Sequence, residues 1–144
     1  MTKILYELIN MSDTYTFYAD SIELAGVCAC LLGNGYGAKR ADGEGETTPV
    51  LFGWNEWLAD RGVDEAWVDS HRIEIADAYD SFLIGSASHR ADIDEAIAAI
   101  PEESRKEFIL KRQEKRRSSM SQIGERAYGL AEFFRKKAEE PAQS

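Results

Sequence analysis

The stretch DEAWVDSHRIEIADAYDSFLI, residues 64–84, decides how this chain is read. Val68, Ile75, Tyr79, Phe82 and Leu83 follow one another at spacings of seven, four, three and one, which gathers them on one side of a single long helix. Gly85 closes it. Upstream, WNEWLADR at 54–61 forms a short helix ended by Gly62. Downstream, Ser88 opens a helix with Ile93, Ile97 and Ile100 at i, i+4 and i+7. Pro101 suits the first turn of the next helix, where Glu102 and Glu103 complement the positive end of its dipole. That helix ends in KRQEKRR. Ser118 or Ser119 then opens a last helix with Ile123, Ala127, Leu130 and Phe134 facing inward.

Toward the N-terminus, residues 22–32 are nearly all apolar or small and predict a central helix. Asp20 or Ser21 is its N-cap, with Glu23 placed three after Asp20 as in a capping box, and Gly33 and Gly35 stop it. KILYELI at 3–9 reads as helix or strand, and TYTFY at 14–18 as a short strand or extended arm. Residues 33–49 carry five glycines and no periodicity, a loop from which residues 49–54 leave as a short strand. The expectation is a mainly α protein. It is a single compact domain of about five to six helices over residues 1–140, with at most two or three short strands and a frayed tail at 141–144. Leu24, Val27, Leu31, Ile75, Tyr79, Phe82, Ile97, Leu130 and Phe134 are its expected core.

A chain of 144 residues can bury a core without staples. No apolar run is long enough to span a bilayer, and the N-terminus lacks the apolar segment of a signal peptide, so a cytoplasmic, non-membrane protein is expected. Cys28 and Cys30 point to opposite sides of one helix, as small hydrophobes in a reducing compartment. Gly33, Gly35 and Gly37 before Lys39 do not make a phosphate-binding loop, because they follow a helix and lack the Gly-Lys-Ser/Thr ending. His71, Glu74 and Asp77 share one helix face, but a single His-x-x-Glu without a second ligand pair reads as a solvated polar stripe. No nucleophile elbow is present, and no catalytic residue, metal ligand or cofactor is assigned.

Charge is the informative bulk property. Residues 1–100 hold 18 Asp/Glu against 6 Lys/Arg, whereas residues 101–144 hold 8 against 11. The basic run from Arg105 to Arg117 is interleaved with glutamates and has Phe108 as its one aromatic, so direct nucleic-acid binding is not expected. The acidic half is sharper. Asp42, Glu44, Glu46, Glu56, Asp60 and Asp64, continued by Glu65 and Asp69, crowd a short span beside Trp54 and Trp57. Carboxylates around aromatic anchors suit docking on a basic, nucleic-acid-binding protein surface.

The segment ILYELINMSDTYTFYADSIELAGVCACLLGNGYGAK, residues 4–39, resembles a group of small phage- and prophage-encoded proteins whose N-terminal part reads ILYELIN-x-SD-x-YTF, then a helix, then LLG and YGAK. The likeness extends through the LFGW segment to residue 54. It implies a short accessory phage product acting in a bacterial cytoplasm, and transfers no site residue. Small acidic proteins of such settings include inhibitors of host defence, CRISPR effector complexes among their targets. The leading expectation is therefore a non-catalytic inhibitor or modulator of a bacterial defence or host protein. A phage structural, assembly or regulatory protein comes second, and a small enzyme acting on a nucleotide signal third.

Overall fold

The computed structural model describes residues 3–9, 14–33, 35–50, 52–85, 87–119 and 122–140. The ambiguous segment 3–9 is a strand, β1 (Ile4–Ile9), and it pairs antiparallel with β2 (Tyr15–Ala19). Alternation explains both. Tyr6 and Leu8 of β1 and Tyr15, Phe17 and Ala19 of β2 point to one buried side. Tyr6 lies opposite Phe17 in the register, and their rings stack at 6.0 Å.

Against that side lies α1 (Ile22–Leu32), with Leu24, Ala25, Val27, Cys28, Ala29 and Leu32 buried. Ser21 is the cap, its hydroxyl accepting the Leu24 N–H at 3.2 Å; Asp20 with Glu23 does not form the expected box. The chain then returns along the outer edge of β1 as β3 (Gly37–Arg40) and runs through α2 (Trp54–Asp60), α3 (Glu65–Ser70) and α4 (Arg72–Asp80). A short β4 (Leu83–Ile84) pairs with Tyr15 and Thr16 on the outer edge of β2. Three helices follow: α5 (Ala87–Ala98), α6 (Glu102–Ser119) and α7 (Gln122–Glu139).

The mainly α expectation is corrected: the described residues form a four-stranded antiparallel sheet, order β3-β1-β2-β4, with seven helices, an α+β fold. Both missed strands are edge strands of four and two residues, too short to carry a pattern, and each forms because a long strand offers it an unpaired backbone edge. β3 also needs Gly37. A Cβ there would sit 2.8 Å from the Pro49 carbonyl oxygen, so only glycine lets the Thr48–Pro49 backbone cross this close. Thr48 fastens that crossing, its hydroxyl accepting the Ala38 N–H at 2.8 Å and its own N–H donating to the Ala38 carbonyl at 3.0 Å.

The single helix expected over 64–84 is broken twice. At the first break, the Ser70 hydroxyl at 2.9 Å and the His71 ring nitrogen Nδ1 at 2.6 Å both turn to the Trp67 carbonyl, the acceptor a continuing helix would use. At the second, Ser81 ends α4 and Phe82–Leu83 turn into the sheet, where Phe82 stacks on Phe17 at 4.6 Å. No strand forms among the described residues of 49–54, since Gly53 takes a left-handed φ of 89° and starts α2. Ser118 and Ser119 belong to the end of α6 rather than the start of α7. The frayed tail expected at 141–144 lies outside the described residues.

The layers run sheet, then α1 and α4, then α7 packed mainly on α4. Tyr79 crosses the centre, its hydroxyl donating to the Cys28 carbonyl at 2.7 Å, and Tyr128 reaches from α7 to the Phe82 carbonyl at 2.7 Å. Arg135 of α7 forks onto Asp77, at 2.8 Å, and Asp80 of α4. Of the expected core, Leu24, Val27, Ile75, Tyr79, Phe82 and Phe134 are buried, Ile97 and Leu130 are half-buried, and Leu31 is exposed. Among the described residues no helix is long and apolar enough to cross a membrane.

Candidate functional site

The acidic span emerges as the loop after β3, then α2 and α3. Asp42 opens a turn: its carboxylate accepts the Glu44 N–H at 2.9 Å and pairs with Arg40 at 2.6 Å. The Glu44 amide, then the Arg40 guanidinium, hold the Asp42 carboxyl below the usual carboxylate range. Farther along, Arg61 at the end of α2 is claimed from three sides. It pairs with Glu46, lies 3.8 Å from Glu23 and rests 4.1 Å above the Trp57 ring. Both basic side chains of the span are thus occupied by carboxylates. Glu44, Glu56 and Asp60 are exposed, the last two four residues apart on one side of α2. Asp64 is exposed too, but it also caps α3 by accepting the Trp67 N–H at 2.9 Å.

The tryptophans face the other way. Trp54 is buried, and Trp57 packs against the core through a slot over Gly26 of α1. Their rings meet edge to face at 5.8 Å. Among the described residues no acceptor reaches either indole N–H, so ring contacts, including that of Arg61 with Trp57, hold the pair. The span therefore brings Glu46, Glu23, Arg61 and Trp57 together, sets Asp42 and Glu44 in one turn, and leaves Trp54 and Trp57 beneath its carboxylates rather than exposed among them.

A groove that spacing arguments missed lies between α1, α2 and α3. Its floor is Val27, Leu31, Leu58 and Val68, its volume is about 530 Å³, and Asp64, Glu65 and Asp69 rim it. The signal was present in α1. A helix apolar on all sides must be covered on all sides, yet Leu31 remains 43% exposed, and it looks into this groove.

His71, Glu74 and Asp77 do not converge: the His71 ring stacks on Trp67 at 3.9 Å while Asp77 pairs with Arg135. Among the described residues no group of three or more His, Cys, Asp or Glu could hold a metal ion. Burial pushes the Cys28 thiol well above its ordinary range, and Cys30 upward. What the fold and this region define is a small α+β protein with exposed carboxylates on the loop after β3, on α2 and at the start of α3, and an apolar groove rimmed by Asp64, Glu65 and Asp69. No protein-family model, curated protein or solved structure matches the chain.

Proposed function

We propose that this chain is a phage-encoded, non-catalytic binding protein that inhibits or modulates a bacterial defence or host protein in the host cytoplasm. Its acidic face docks on a basic, nucleic-acid-binding surface such as that of a CRISPR-type effector complex. One observation carries the reading. Arg40 and Arg61 are each tied to a carboxylate, while Glu44, Glu56, Asp60 and Asp64 stay exposed, so the span keeps a net negative field. Such a face mimics the charge of a phosphate backbone, and nucleic acid would compete with it for the same partner surface. The anchors of this docking are charges, with Trp54 and Trp57 stiffening the platform beneath them.

A tagged chain in bacterial lysate identifies the partner, and binding is then measured with purified components. Reversing Glu44, Glu46, Glu56 and Asp60 to lysine should slow association at least about tenfold while leaving the thermal melt nearly unchanged, because exposed charges steer encounter and add little stability. Affinity should also fall with salt, as the Debye length shrinks from ~10 Å at 0.1 M to ~3 Å at 1 M. Association as fast as wild type, flat in salt, would overturn the acidic docking face. A virion component as the only partner would favour the structural or assembly role instead.

A further inference from the structure

Helix α6 and the groove are complementary parts of one chain. Over residues 111–119 the helix carries five Lys/Arg against one acid, and it packs mainly on α7. Phe108 stands 39% exposed on it. Positions 111, 112 and 115 follow Phe108 by three, four and seven residues, so Lys111, Arg112 and Lys115 belong to the side of the helix that Phe108 marks. The groove has the opposite character: an apolar floor at Leu31, Leu58 and Val68, an acidic rim at Asp64, Glu65 and Asp69, and no base among its lining residues. Its volume of about 530 Å³ accommodates an aromatic ring.

An apolar anchor followed along one helix face by bases, opposite an apolar slot rimmed by acids, is the complementarity of helix-in-groove recognition. We propose that the groove of one copy takes helix α6 of a second copy of this chain. Phe108 enters between α1 and α3, and positions 111, 112 and 115 face Asp64, Glu65 and Asp69. The contact answers the uneven charge of the chain, strongly acidic through residue 100 and basic beyond it. It shares Asp64 with the acidic face, but the variants that test it, at Glu65 and Asp69 and on α6, leave Glu44, Glu46, Glu56 and Asp60 untouched, so either reading can fail without the other.

The test is sedimentation of the purified full chain over a wide concentration range at low salt. Self-association is expected, weakening as salt screens the rim. Two variants follow. Glu65→Lys with Asp69→Lys reverses the groove and spares the Asp64 cap; Lys111→Glu with Arg112→Glu and Lys115→Glu reverses the helix. Each alone places like charges together and should raise the dissociation constant at least about tenfold. Mixed, the two are complementary in both directions, and association should return. Cys30 lines the groove, so its alkylation should be slower in assembled wild type than in either variant, with buried Cys28 as the internal control. A chain that is monomeric at every concentration overturns the proposal. So does association indifferent to both variants, or a mixture that stays monomeric. Should circular dichroism show a charge variant misfolded, Leu31→Asp or Phe108→Ala replaces it, with the same loss expected and its absence equally decisive.

Discussion

Gly26 leaves a bare Cα where Trp57 crosses α1. A Cβ there would lie 2.7 Å from Cζ3 and 2.8 Å from Cη2 of a rigid indole that Trp54 and Arg61 also hold. Gly26→Ala should therefore destabilise, by up to about 2 kcal/mol in urea unfolding. Overpacking of about 1–3 kcal/mol exceeds the ~1 kcal/mol that alanine gains in a helix interior. A midpoint that rises instead would show the slot to be loose. Two buried acids make stability pH-dependent at the alkaline end. Desolvation raises the Cys28 thiol above its ordinary 9.0 and, as the largest cause, the Tyr79 phenol above its ordinary 10.0. Above those values the unfolded chain releases protons that the folded chain retains, so stability is full below pH 9 and falls as pH rises beyond it. Cys28→Ala should flatten the first part of that fall, read as the slope of melting temperature between pH 9 and 10.

Single side chains also decide where elements end. Ser81 stops α4 and joins it to the sheet, its hydroxyl donating to the Ala78 carbonyl at 2.6 Å and accepting the Tyr18 N–H at 2.8 Å. Ser81→Ala leaves that strand amide without its partner, at a cost of about 1–3 kcal/mol. The loss should be local first: amide exchange of Thr16 and Ile84, at the β2–β4 pairing, should accelerate more than that of Tyr6 or Phe17. Uniform acceleration would mean that β4 is not a separately opening edge. The helix expected over 64–84 was legible in its buried positions and wrong in its continuity. Val68, Ile75 and Tyr79 follow helical spacing, whereas Phe82 is buried by stacking on a strand residue. Periodicity reports which side is apolar and is blind to Ser70 and His71 diverting one carbonyl.

Across the molecule, the last helix completes a core begun by the first strands. Ala127, Tyr128, Ala131 and Phe134 are buried, and Arg72 of α4 donates to the Lys137 carbonyl at 2.8 Å, closing the end of the α4–α7 seam. A chain ended after residue 121 would expose the outer side of α4 and is expected to lose cooperative melting and near-ultraviolet dichroism. A sharp melt from that fragment would show α7 to be an appendage. The acidic span was legible as composition, and its exposed carboxylates lie in the loop after β3, on α2 and at the start of α3. The groove was not legible, because Val27, Leu58 and Val68 are brought together from three helices.

Composition and local pattern determined the helix at 22–32, the extended character of 14–18, the acid-rich first hundred residues and the basic stretch after them, and left 3–9 open between helix and strand. Each follows from neighbours in sequence: side-chain period, capping chemistry, charge. Tertiary structure alone decided that GAKR and Leu83–Ile84 are strands, that Trp57 lies in the slot at Gly26, and that Leu31 is left at the floor of a groove. A two- or four-residue strand has no intrinsic stability, and its hydrogen bonds exist only when a distant strand presents an open edge. A groove is likewise a property of the space between helices, and no residue carries it alone.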